Sequence, residues 1–381
     1  MKSEEKLYIW QSEDWPNWRF DLADLSEPLA RASRAQGHLL GRLADVGLAQ
    51  RDQASFLALS HDVIKTSEIE GEHLNVQSVR SSIARKLGVD IGAMSPVDRE
   101  VEGMVEVVMD ASVNCQDLIT QERLWGWHAS LFPTGFSGLK RITAGSWRRD
   151  EFGPMQVVSG PMGREHVHYQ APPAEQLEFE MNLFLQWANS STDAPALIKA
   201  GLAHFWLVTL HPFDDGNGRI SRALGDLFLS RADGCPQRFY SLSSQIERER
   251  QTYYAILESS QKGGMDVTSW LVWFLGTLER ALTQAELSLD AVLAKAHFWQ
   301  HHHAVVFNAR QVKLLNRLLD GFEGKLTASK WGAIGKCSHD TALRDINELV
   351  ALGVLKKSTS GGRSTSYEFV ATLEKSDNII D

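Results

Sequence analysis

Between Ala196 and Leu210 the chain is almost wholly apolar, with Leu197, Ile198, Ala200, Leu202, Ala203, Phe205, Trp206 and Val208 leaving no polar face. A helix of this composition is stable only when it is surrounded, so it predicts a buried central helix and a mainly α fold built around it. The segment His211-Pro-Phe-Asp-Asp-Gly-Asn-Gly-Arg-Ile-Ser-Arg222 follows at once, and then a second helical pattern from about Gly218 to Ala232. A polar, glycine-bearing loop is thereby fixed between two packed helices.

That loop has the parts of a phosphate site. Gly216 and Gly218 carry no side chains, so backbone N–H groups can approach a ligand closely. The unpaired N–H groups and dipole of the following helix start favour an anion. Arg219 and Arg222 are three apart on the first helical turn and project on one side, where guanidinium forks match phosphate oxygens. Asp215 supplies a hard carboxylate of the kind that holds Mg²⁺ together with substrate phosphates. His211 is the group here that can take a proton near neutral pH.

The rest of the chain supplies context. The helical pattern runs from Leu22 to about Leu87, resumes from Glu100 to Ile119, and returns at Ala174 to Ala188. Trp10, Trp15 and Trp18 suggest an ordered extended arm packed on a surface. Residues 133–173 are rich in glycine and proline and contain Gln156-Val-Val158 and His166-Val-His-Tyr169, which predicts a loop region with a hairpin turning near Gly160 to Gly163. From about Phe307 the pattern changes to helices at Gln311–Leu319, Ala328–Ile334 and Asp340–Leu352. Two strand-like segments follow, Val354–Lys357 and Thr365–Phe369, about the turn Ser360-Gly-Gly-Arg363. That order spells a winged helix-turn-helix. His301-His-His303 reads as a domain-junction feature with no metal assigned, because adjacent helical residues point in different directions.

The loop resembles the signature of the Fic family, HPFxDGNGRxxR, and matches it at His211, Pro212, Phe213, Asp215, Gly216, Asn217, Gly218, Arg219 and Arg222. The resemblance extends over roughly residues 55 to 290, and the Trp-rich arm and C-terminal module look like those of a bacterial subgroup. It implies a Fic-type helical core with a small β-hairpin flap and transfer of AMP from ATP to a Tyr, Thr or Ser hydroxyl of a protein. The target would pair with the flap near Met155 to Gly160. His211 would be the general base and Asp215 the Mg²⁺ ligand. Gly216, Asn217 and Gly218 would stabilise phosphate charge, Arg219 and Arg222 would hold the β- and γ-phosphates, and Tyr253 and Tyr254 would flank the adenine.

Thr66-Ser-Glu-Ile-Glu-Gly71 is similar to the family's inhibitory motif, [S/T]xxxE[G/N]; Thr66 and Glu70 fit its spacing, whereas Glu68 and Glu72 do not. The resemblance implies that Glu70 pairs with Arg222 and occupies the fork that the γ-phosphate needs. The expected organisation is 1–100 for the arm and inhibitory region, 101–295 for the catalytic core and 296–381 for the winged helix.

Other readings fit the same residues. The scaffold could transfer UMP, phosphocholine or phosphate, although the Doc branch carries Lys where Gly218 stands. Glu70 could also position a water for removal of AMP. A DNA-binding regulator that senses nucleotide is a reading from a different class, but a sensor needs no base at position 211. The net charge of −9 opposes general binding to nucleic acid or anionic membrane. Residues 301–381 hold 11 Lys and Arg against 9 Asp and Glu, a balance of +2, so Arg344, Lys356, Lys357 and Arg363 are candidates to meet DNA. Asp340, Asp345 and Glu348 weaken that case, and protein docking is an equal reading. Three separated cysteines, no signal-like start and no apolar run near about 20 residues point to a cytoplasmic protein without a membrane span. A homodimer is expected by analogy with the family.

Overall fold

The computed structural model describes residues 8–151, 153–161, 163–191, 194–319, 322, 324–358 and 365–370. The chain is mainly helical with small antiparallel strand pairs and divides into two compact units, Met1–Leu289 and Asp290–Asp381.

In the first unit, a 3-10 turn at Ile9–Gln11 precedes α1 (Leu22–Ala44), α2 (Leu48–Ile69), α3 (Val76–Leu87), α4 (Arg99–Val113) and α5 (Gln121–Leu131). Capping residues set several of these starts. Asp21, Asn75 and Thr120 accept backbone N–H groups at the first turns of α1, α3 and α5. Two antiparallel pairs follow, β1 (Phe136–Ser137) with β2 (Lys140–Arg141) and β3 (Gln156–Ser159) with β4 (His166–Gln170). Helices α6 (Ala174–Asn189), α7 (Ala196–Leu210), α8 (Asn217–Asp233), α9 (Leu242–Arg248), α10 (Arg250–Gln261) and α11 (Thr268–His301) complete the order, α11 belonging to the second unit from Asp290 on.

The apolar segment is the centre of this unit. Every side chain of α7 from Leu197 to Leu210 is buried except Lys199. Each large apolar side chain so placed contributes about 1.5–3 kcal/mol. α7 packs along α8. The arm is anchored to the same core: Trp18 sits edge-on to Phe205 and Trp206, and the Trp10 and Trp15 indoles donate to the Gln170 carbonyl and to Glu180.

Three local expectations are revised. The helix expected to reach Ile119 stops at Val113, where Asn114 hydrogen-bonds Asp110 and Arg123 takes the Asn114 carbonyl. The Ile119 backbone is instead paired with the Asn189 side chain. The arm begins with a helical turn rather than being extended throughout, and the loop region holds two strand pairs instead of one.

The second unit contains α12 (Ala309–Leu319), α13 (Ala328–Gly335), α14 (His339–Ala351) and the antiparallel pair β5 (Leu355–Lys357) and β6 (Tyr367–Phe369). Its core gathers Leu314, Leu315, Leu326, Trp331, Ile346 and Leu349. Asp345 turns inward from α14 to Arg310, Asn308 and the Trp331 indole. Glu348 accepts from Gln311. Two of the three acidic residues on α14 are thus engaged within the unit. Arg363 and the turn around it lie outside the described residues.

Candidate active site

The loop between α7 and α8 is shaped by two left-handed residues. His211 ends α7 at φ 49°, and Gly216 starts α8 at φ 77°, a conformation glycine adopts without penalty. A Cβ at Gly216 would also come within 2.9 Å of the Phe132 ring. Asn217 closes the loop from inside: its side-chain carbonyl accepts from the Phe213 N–H at 2.9 Å, and its amide donates to the Phe213 carbonyl at 2.8 Å. The buried Asn217 side chain therefore braces the loop through its carbonyl and one of its two amide hydrogens.

Arg148, absent from the sequence reading, is the other brace. Its Nε donates to the His211 carbonyl at 2.8 Å, its remaining nitrogens to Pro172 and Asp150, and its backbone N–H to the Pro212 carbonyl. The side chain is buried, and burial lowers its pKa against the pull of Asp150. No local pattern marks this residue, because it acts across 63 positions in sequence.

His211 Nδ1 lies 3.2 Å from the Val208 carbonyl. A carbonyl only accepts, so Nδ1 carries the proton and Nε2 keeps a lone pair. Burial lowers the His211 pKa to about 4, with the Val208 hydrogen bond opposing it. The imidazole is therefore neutral at physiological pH and competent as a base. Asp215 is half-exposed. One of its oxygens accepts from Ser137 Oγ and the other from the Gly216 N–H at 2.5 Å. Asp214 caps the Thr143 N–H at 2.9 Å.

Both arginines of the loop meet carboxylates from the end of α2. Arg222, 2% exposed, donates from Nη2 to Glu70 Oε1 at 2.7 Å and to the Thr66 carbonyl at 2.9 Å, and from Nε to Thr66 Oγ1 at 2.7 Å. Arg219 Nη1 donates to Glu72 Oε2 at 2.6 Å and stacks over Phe132. Burial alone would lower the Arg222 pKa, but Glu70 raises it above its ordinary value. Burial raises the Glu72 pKa, opposed by Arg219 and reinforced by repulsion from Asp215 and Glu70.

Glu70 enters so closely that a Cβ at Gly218 would lie 2.2 Å from its Oε1. Gly218 thus admits the carboxylate as well as exposing backbone. Arg222 Nη1 and Arg219 Nε are buried without a hydrogen-bond partner among the described residues. The first N–H groups of α8 likewise have no acceptor within the helix. These are the donors an anionic ligand would use.

The structure places Glu70 on Arg222 and sets His211 and Asp215 of the loop next in sequence to Arg219 and Arg222 at the start of α8. It also brings Glu72 to Arg219, although its spacing lies outside the inhibitory pattern. The two tyrosines separate. Tyr253 is 1% exposed and its hydroxyl meets His204 Nε2 at 2.9 Å, so it is a core residue behind Arg222 and not an adenine-flanking one. Its aromatic packing on Trp270 and Trp273 explains this. Tyr254 is partly exposed and donates to the Ile69 carbonyl at 3.2 Å, beside the end of α2.

Over the loop, β4 is tied to α7 by the buried Tyr169 hydroxyl, which donates to the Thr209 carbonyl at 2.7 Å. β3 is exposed along its whole length and pairs with β4 alone among the described residues, so its other edge is open.

A helical core whose central helix feeds an arginine- and glycine-bearing loop of this kind defines a class. Residues 118–229 match the family model described as Fic/DOC family, and the chain carries a Fic/DOC domain. Residues 8–89 match a model described as a domain of unknown function, DUF4172.

Among individual proteins, the chain is 27% identical over 248 residues to the Protein adenylyltransferase Fic of Aedes aegypti, covering 64% of this chain and 44% of that protein. It is 26% identical over 243 residues to the Culex quinquefasciatus protein of the same name, covering 62% and 43%. The match therefore spans less than half the length of these curated relatives.

The fold is similar to the crystal structure of a Fic family protein from Desulfovibrio desulfuricans G20, with a TM-score of 0.51 at 18% identity, covering 91% of this chain and 96% of that one. It is also similar to a Fic domain containing signaling protein from Bacteroides thetaiotaomicron, with a TM-score of 0.50 at 17% identity, covering 70% and 98%. No helix among the described residues is long and apolar enough to cross a membrane.

Proposed function

We propose that this chain transfers AMP from ATP to a protein hydroxyl and that Glu70, assisted by Glu72, holds it inactive. The observation that carries the reading is the placement of His211 at the head of the loop, with Nδ1 3.2 Å from the Val208 carbonyl so that Nε2 is left to accept a proton. A base so arranged is required for chemistry and serves no purpose in a sensor. The target hydroxyl oxygen would attack the α-phosphorus and give its proton to His211 Nε2. The bond from the α-phosphorus to the bridging oxygen would break, and pyrophosphate would leave.

The first N–H groups of α8 and the unpartnered nitrogens of Arg219 and Arg222 would stabilise the phosphates. Asp215, with the Ser137 hydroxyl beside it, is a set of hard oxygen donors suited to Mg²⁺. Bound there, the ion would neutralise charge on the phosphates. The open edge of β3 would pair with an extended target segment, which is β-augmentation. Tyr254, partly exposed beside the end of α2, would flank the adenine. The second unit is read as a winged helix for docking DNA or protein. Inward pairing of the buried Asp345 removes part of the acidic objection to DNA on α14.

The test is incubation of the Glu70→Gly protein with ATP labelled on the α- or the γ-phosphate, with His211→Ala as control. Covalent label from the α-position alone, lost in His211→Ala, is expected. Label from the γ-position would instead establish phosphate transfer, and no covalent label from either would leave only a sensor.

A further inference from the structure

The flap carries a cluster that the proposed reaction does not use. His166 and His168 lie on β4, and Glu258 lies on α10; one ligand atom from each falls within 4.8 Å of the other two. The imidazole rings are edge to face with centroids 4.7 Å apart. A register shift between Val157 and Val158 leaves His168 as the extra residue of β4, a β-bulge, and its imidazole reaches Glu258 on α10. His168 Nδ1 is 2.7 Å from Glu258 Oε2, while its Nε2 is 2.6 Å from Ser159 Oγ. The second oxygen of Glu258 is held by Lys262. The His166 imidazole makes no hydrogen bond among the described residues.

We infer that His166, His168 and Glu258 form a binding site for a divalent transition-metal ion of the zinc type, which pins the flap strand to α10. Two imidazoles and a carboxylate with a fourth position for water make up a recurrent zinc ligand set. Bonds of about 2.0–2.2 Å place tetrahedral ligand atoms about 3.4 Å apart. Rotation of the exposed His166 and the half-buried His168 and Glu258 side chains would bring these atoms, now within 4.8 Å of one another, to that spacing. The surroundings suit the role. Ser159 fixes the ring nitrogen of His168 that faces away from Glu258, and Lys262 orients the carboxylate, as outer partners of metal ligands do. Imidazole donors select zinc, cobalt, nickel or copper over magnesium, so this site is chemically distinct from the oxygen donors at Asp215. The ion would replace the His168–Glu258 hydrogen bond and fasten the hairpin whose open β3 edge is assigned to the target. That last consequence rests on the proposed function, but metal binding itself does not.

The test uses the full chain stripped with chelator and titrated with Zn²⁺ and, separately, Co²⁺, by calorimetry and visible absorption. A His301→Ala, His302→Ala, His303→Ala chain serves as the reference, which removes the other histidine cluster. One Zn²⁺ per chain is expected in that reference, with a tetrahedral Co²⁺ spectrum free of thiolate bands. Ser159→Ala should weaken binding by about 10–100-fold, the usual effect of losing a ligand's outer partner. His168→Ala and the near-isosteric Glu258→Gln should weaken it further. Zn²⁺ should also slow amide exchange in β3 and β4. Absence of binding in the reference chain, or Zn²⁺ binding that survives both His168→Ala and Glu258→Gln, would overturn the assignment.

Discussion

The two carboxylates at the end of α2 are unequal, and the inequality can be measured. Glu70, 29% exposed, meets an Arg222 that is 2% exposed and also holds Thr66, whereas Glu72, 45% exposed, meets an Arg219 that is 6% exposed. A hydrogen bond to a charged group contributes about 1.5–3 kcal/mol. Removing Glu70 should therefore raise the fraction of molecules with a free phosphate seat by about 10- to 150-fold, at about 1.4 kcal/mol per factor of ten. The Glu72 carboxylate is the more exposed of the two and is screened more, but its arginine is buried, so the pair should lie near the top of the range for exposed pairs, about 1 kcal/mol or about 5-fold. Initial rates of α-phosphate labelling at subsaturating ATP should rank Glu70→Gly above Glu72→Ala, and Glu72→Ala modestly above wild type. High salt should shrink the Glu72 effect and spare that of Glu70. The cost should appear in stability, because Glu70→Gly leaves a buried guanidinium whose remaining hydrogen bonds, among the described residues, go to Thr66. ATP should then raise the melting temperature of Glu70→Gly more than that of wild type. Equal activation by the two variants, or a Glu70→Gly rate no different from wild type, would refute the reasoning.

Other outcomes follow from the same contacts. Arg148→Lys removes the fork that holds the His211 and Pro172 carbonyls; a displacement of about 1 Å at the base should lower kcat by about 100-fold with ATP affinity little changed, read by labelling kinetics and calorimetry. Burial lowers His128 and His211 to about 4 and His204 to about 3. In unfolded chain each titrates near 6.5, so between that value and about 4 the unfolded state binds more protons. Stability should be full above about pH 6.5 and fall as pH drops through this window, by several kcal/mol on the order of magnitude, in denaturant titrations at a series of pH values. His204→Gln should remove part of that dependence. The His211 value also means that activity in the Glu70→Gly background should not fall between pH 8 and 6 through protonation of the base.

The sequence by itself determined the central apolar helix, the loop that follows it, and the set of polar side chains that the loop and the start of α8 carry. These features are local: an all-apolar helical run must be buried, and residues within a dozen positions across one turn stay together in any fold that keeps both helices. It also placed Glu70 through a short pattern, and the helices of the second unit through caps and periodicity. Only the tertiary structure decided which side chains reach the loop from far away. Arg148 arrives from a glycine- and proline-rich stretch with no periodicity to mark it. Glu72 finds Arg219 because Gly71, at φ 84°, turns the chain after Glu70. Tyr253 and Tyr254 are neighbours in sequence, yet one is packed behind Arg222 and the other stands at the rim. Adjacent residues on a helix point about 100° apart, and which direction is inward is set by the neighbours that pack against it.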